Sequence, residues 1–124
     1  MTVFNQDIVA LTLQNTDFRR EILTGEHSQL VLMSIEPGSE IGAETHHVDQ
    51  VLMFVAGRGE AVLDGRKSPV KANSVVVVPA GTEHNFLNTG DIPLKLWTVY
   101  APPEEAPGTL HRTKADAGAA EHDH

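Results

Sequence analysis

The chain contains no cysteine. Thiolate zinc sites, redox pairs and cysteine nucleophiles are thereby excluded, and any metal must be held by imidazole, carboxylate or amide. Basic residues are few, with 9 Lys and Arg against 17 Asp and Glu for a formal charge of −8. The cations are scattered rather than gathered into a stripe. Binding phosphates needs a positive footprint, so nucleic acid is not expected as a partner. Aromatics are also scarce: one Trp and one Tyr make no cage for stacking a large substrate. No apolar run approaches the ~18 residues of a membrane span. The N-terminal MTVFNQDIVALTLQNTDF lacks a basic leader region and a sustained apolar core. These absences lead to the expectation of a soluble, cytoplasmic protein with no membrane partner.

A phosphate loop, a dinucleotide fingerprint and a Ser-His-Asp nucleophile motif are missing too, and no segment up to Gly38 shows a helical period. What is present fits one β domain. A chain of 124 residues buries about two thirds of its unfolded surface without a disulfide or structural metal. Short apolar runs at residues 7–13, 18–23, 29–35, 51–55, 60–63, 69–71, 74–78, 84–87 and 94–100 are separated by turn residues. This predicts an all-β fold of about nine or ten strands, a sandwich or closed barrel. Asp64-Gly65 is the strongest hairpin signal.

The runs VLMFV and VVVV are apolar at every position, so their second face needs a cover. Another sheet of the same chain would serve, as would a second subunit; a homodimer is the expectation. From Ala101 the composition turns to PPEEAPGT and then HRTKADAGAAEHDH. We expect a single barrel domain at 1–103 and a partly mobile tail at 104–124. Within that tail Leu110 is a possible anchor for His111, whereas His122 and His124 are expected to be solvated.

Metal-capable side chains concentrate between Gly38 and Gly59. Side chains two apart on a strand share a face, so Glu44 and His46 look the same way. A short turn at His47 to Asp49 would let Gln50 face them from the next strand. Further on, His84 shares parity with Phe86 and can look inward. Four such ligands in a dry interior suit a divalent ion that keeps open positions. Because His46 and His47 are adjacent, a bulge or register shift would instead turn His47 and Asp49 inward. Phe54, Phe86, Trp97 and Tyr100 are candidates to line a pocket or fill the core, and Met33 and Met53 are expected in the core.

The spacing of these residues resembles the cupins. Gly38, Glu44, His46, Gln50 and Gly57 fall in order on the places of the family's first motif, and Pro79, Gly81, His84 and Asn88 on those of its second. The resemblance runs from about Ile35 to Pro103. The closing LKLWTVYAPP and GTLHRTKA also look like the small single-domain cupins, of cupin_2 type, often labelled mannose-6-phosphate-isomerase-like. The resemblance implies a double-stranded β-helix, or jelly roll, with a metal in the barrel mouth held by Glu44, His46, Gln50 and His84. Two places differ from the family: its first histidine is Glu44 here, and its glutamate is Gln50. The exchange keeps one carboxylate beside two imidazoles and a weaker amide. That set suits iron, and equally Mn, Ni, Cu or Zn. The same residues would also make a metal-free polar cavity in which His and Glu bond each other and water.

Two functions follow. One is a metal-dependent oxygenase, isomerase or lyase acting on a small organic substrate, with Glu83 or His47 near the mouth available to move protons. The other is a non-catalytic module that binds or senses a small ligand in the same cavity.

Overall fold

The computed structural model describes residues 3–122. Nine strands form two antiparallel sheets: β1 (Arg19–Thr24), β2 (Gln29–Ile35), β3 (Asp49–Ala56), β4 (Arg58–Leu63), β5 (Arg66–Lys71), β6 (Val75–Val78), β7 (His84–Asn88), β8 (Leu94–Ala101) and β9 (Leu110–His111). The larger sheet has the order β6-β3-β8-β2-β1-β9 and the smaller β5-β4-β7. Facing one another, they make a double-stranded β-helix.

Burial alternates with the two-residue period of a strand that has one face on a core. In β3, Gln50, Leu52 and Phe54 are buried while Val51 and Met53 are not. On β7, His84, Phe86 and Asn88 are buried and Asn85 and Leu87 are less so. Phe54 from one sheet and Phe86 from the other pack with ring centroids 5.7 Å apart. With Val31, Met33, Ile35, Leu94 and Leu96 they form the core between the sheets. Fully burying each such side chain contributes about 1.5–3 kcal/mol.

Turn chemistry sets the connections. Asp64 and Gly65 both have positive φ, 48° and 81°, and Leu63 pairs with Arg66 across them. This is the type I′ geometry that matches the twist of the flanking strands. Gly57, at the end of the first motif, has φ 87° and no room for a side chain, since a Cβ would lie 2.7 Å from the Pro93 carbonyl oxygen. Asn88, the last motif residue, is buried and donates from Nδ2 to the carbonyls of Ile35 and Ile92 at 2.8 Å each.

One expectation is corrected. Residues 7–13 form no strand; Ile8–Gln14 is a helix, α1. Asp7 caps it, its side chain accepting from the Ala10 amide, and Asn15 closes it. Ile8, Ala10, Leu11, Thr12 and Asn15 are its less exposed positions, a helical stripe too short to stand out against a strand. A second helix, α2 (Lys114–His122), lies in the C-terminal stretch.

Helix α1 packs against β8 and β3 and so supplies part of the cover for the outer face of the large sheet. Trp97 and Met53 sit on that face, cross-strand neighbours of each other, rather than in the core. Val75 and Val77 on the edge strand β6 are 53% and 59% exposed. Residues after Pro103 return to the barrel. Gln29, 1% exposed, accepts from the Glu104 and Glu105 amides and donates to the Glu105 carbonyl. Strand β9 pairs with β1, His111 opposite Arg19, and Ala117 of α2 is buried. His124 and the side chain of His122 lie outside the described residues.

Candidate metal centre

The segment 40–46 carries the first motif along the open edge of the small sheet. Glu40 bridges Leu87, the Ile41 amide donates to the Phe86 carbonyl, and Glu44 bridges His84. Beyond them, the Gly81 amide donates to the His46 carbonyl. Gly81, at φ 87°, is the residue that lets the Pro79–Thr82 turn close. The two motifs are thereby stitched backbone to backbone.

Glu44, His46 and His84 converge, each offering a ligand atom within 4.8 Å of the others. His84 is buried, and Glu44 and His46 are half-buried. The two imidazoles lie 5.0 Å apart, and Tyr100 meets His46 edge-on at 5.7 Å. Each ring has its Nδ1 beside an oxygen. His84 Nδ1 is 2.9 Å from the Thr82 carbonyl oxygen, and His46 Nδ1 is 3.3 Å from a Glu104 carboxylate oxygen. The Thr82 oxygen only accepts, so the His84 tautomer that satisfies it carries the proton on Nδ1 and leaves Nε2 as the lone pair; a proton on His46 Nδ1 would likewise face the Glu104 carboxylate. His46 Nε2 points to the Glu44 carboxylate, 3.6 Å away. Burial raises the Glu44 carboxyl above its ordinary 4.5, although His46, Arg19 and His84 pull it back down. Tyr100 is buried and held neutral, its phenol pushed up by desolvation.

Gln50 is buried on β3 opposite Tyr100. Its Nε2 donates to Thr98 Oγ1 at 3.1 Å, and the Thr98 hydroxyl spends its proton on the Val51 carbonyl at 2.8 Å. The amide orientation is therefore fixed, and Oε1 is left buried with no hydrogen-bond partner among the described residues. A buried acceptor without a partner costs about 1–3 kcal/mol and fits a site that a cation would complete. The half-buried carboxylate and two imidazoles of the cluster are donors of the kind a divalent ion accepts.

The register-shifted alternative does not occur. His47 and Asp49 are exposed, and Asp49 accepts from the Ala80 amide. Glu83 is exposed as well, its amide bonded to Asp64 at the far hairpin. The polar groups that do flank the cluster are Glu104, Glu105 and Arg19, none of which motif spacing could reveal. Arg19 on β1 is buried, its Nε 3.3 Å from Glu105 and its Nη1 3.4 Å from His111 Nδ1.

Residues 31–100 match the Cupin domain family, and the chain belongs to it. It is 47% identical over 125 residues to the protein YrkC of Bacillus subtilis (strain 168), covering 95% of this chain and 67% of that one. It is 36% identical over 115 residues to the protein L612 of Acanthamoeba polyphaga mimivirus, covering 88% and 71%. The crystal structure of BH2720 from Bacillus halodurans superposes with a TM-score of 0.91 at 44% identity, covering 94% of this chain and 93% of that one. Among the described residues no helix is long and apolar enough to cross a membrane.

Proposed function

We propose that this cupin is a metal-dependent enzyme that holds one divalent ion with Glu44, His46, His84 and the Gln50 amide oxygen. It would act as an oxygenase, isomerase or lyase on a small organic molecule in the barrel. The observation that carries the reading is the paired anchoring of the imidazoles. His84 Nδ1 is within hydrogen-bond distance of the Thr82 carbonyl and His46 Nδ1 lies beside the Glu104 carboxylate, the outer arrangement that aims Nε2 at a metal and raises ligand basicity. Mn, Fe, Zn, Ni and Cu all accept such a nitrogen and oxygen set. When bound, the ion polarises a carbonyl or hydroxyl, or acidifies a water.

The chain's own residues supply the rest. Tyr100 and the buried apolar wall exclude water, and Glu104 places a carboxylate beside His46 Nδ1. Exposure of the metal-loaded protein to hydroxy acids, diketones and sugars, with oxygen uptake and product recorded, tests the enzyme reading. Turnover of one class supports it. Saturable binding without turnover across the panel replaces it with the non-catalytic ligand-binding module, which uses the same cavity.

We further propose that two copies pair through the outer face of the large sheet and act in the cytoplasm, without a nucleic-acid partner. Exposed Val75 and Val77 on an edge strand support the pairing, since such an edge invites another chain. Light scattering after size exclusion should give a dimer that a Val75→Lys/Val77→Lys variant dissociates; a monomeric wild type removes the proposal.

A further inference from the structure

Next to the cluster, Arg19 is a largely buried cation, and one of its donors, Nε, is enclosed without a hydrogen-bond partner among the described residues. Its side chain is 6% exposed. Glu105 lies within ion-pair distance of Nε, but out of line, and Nε has no hydrogen-bond partner among the described residues. Nη1 has one contact, His111; Nη2 has no hydrogen bond among the described residues. A guanidinium presents five donors in a planar fork, and Nη2, which is not enclosed, is the donor open to a ligand. The Phe18 ring lies under it, 5.2 Å from the guanidinium carbon, and holds it in place.

Arg19 also forms a wall of a cavity of about 160 Å³, shared with Phe18, Ile41, Glu44, Lys114 and Ala117. At about 30 Å³ per water, this is room for only a few heavy atoms. Two of its lining side chains are cationic, Arg19 and Lys114, and a third, Glu44, belongs to the candidate metal centre. The site thus offers a fork with spare donors at one side and a metal ligand at the other.

We propose that this cavity is a subsite for a carboxylate, and that the ligand of this cupin is a compact organic acid whose carboxylate is gripped by Arg19. A carboxylate matches the guanidinium fork in shape and charge and can satisfy two of its donors at once. Glu105 is then a loosely seated internal competitor on the same cation. The reactive end of the acid reaches the ion, and only that end rests on the metal-centre reading; the grip on the carboxylate does not.

The test is calorimetric titration of acetate, glycolate, pyruvate and malonate into the full chain, metal-loaded and metal-free. Acetamide and malonamide serve as uncharged counterparts. The expected result is binding of at least one acid and of neither amide. Arg19→Gln should weaken that affinity by on the order of tenfold or more, Arg19→Lys should restore it only in part, and Glu105→Gln should tighten it. Thermal melts of each variant confirm the fold, and the Glu105→Gln gain stands even where Arg19→Gln unfolds. Acids that bind the metal-free chain as tightly as the metal-loaded one leave the subsite standing and overturn the contact between the acid's other end and the ion. A metal-loaded chain that binds acids no better than amides, or that binds them equally well as Arg19→Gln, overturns the subsite. So does a Glu105→Gln variant with unchanged affinity.

Discussion

Glu44 and His84 face each other across an antiparallel bridge, each amide donating to the other's carbonyl at 2.9 Å. Backbone pairing of this kind sets side-chain position before any ion arrives. It also holds the Glu44 carboxylate in a partly desolvated place, and that has a measurable consequence.

Folding raises the Glu44 carboxyl above 4.5, burial being the main cause. The folded state therefore binds the proton more tightly than the unfolded chain. Glu44's contribution to stability is whole below 4.5 and is lost as pH rises through the higher folded value. Metal-free Glu44→Gln should accordingly melt above the metal-free wild type at neutral pH, with the gap closing toward about pH 4. Thermal melts in chelator across that range check it. A variant that melts lower at pH 7 would show that the carboxylate is satisfied without a cation.

Glu104 should matter to the ion although it never touches it. Its carboxylate oxygen is 3.3 Å from His46 Nδ1, and loss of such a partner costs about 10–100-fold in metal affinity. Glu104→Ala is expected to lose affinity within that range, measured by competition with a chelating dye. Glu104→Gln, which keeps an acceptor oxygen, should lose less. Equal affinities in all three proteins would leave Glu104 a surface charge.

Gln29 fastens the segment that carries Glu104 and Glu105, and it is the central tie between the barrel and residues beyond Pro103. It bonds the Glu104 and Glu105 amides, the Glu105 carbonyl and the Thr24 hydroxyl. At about 1 kcal/mol net per bond, Gln29→Ala should destabilise by roughly 2–4 kcal/mol. It should also lower metal affinity in the same direction as Glu104→Ala, through loss of the carboxylate at His46. Denaturant melts and the dye competition read the two effects separately.

The parts of this molecule that sequence made legible are those with local signals. Alternating burial in β3 and β7, the Asp64-Gly65 turn and the parity of Glu44 with His46 all follow from spacing along one segment. Helix α1 was hidden because a seven-residue helix whose polar cap is a single Asp reads like a short apolar strand. Arg19, Glu104 and Glu105 were hidden for a different reason. Arg19 meets Glu105 and Gln29 meets residues 104–105 only through long-range closure, and a proline-rich run followed by two glutamates has the composition of a solvated tail. Gln50 illustrates the mixed case: its position was legible, whereas its buried acceptor without a partner depends on Thr98, a residue no motif singles out.

The central claim is that Glu44, His46 and His84 form a metal site. Its most direct test is elemental analysis of the protein freshly isolated from cells grown with mixed transition metals, alongside a His46→Ala/His84→Ala variant shown by thermal melting to be folded. The account predicts close to one divalent ion per chain in the wild type and essentially none in the variant. A wild type carrying no more metal than the variant would contradict it, and the cluster would then be a polar cavity in which Glu44 and the two imidazoles serve each other.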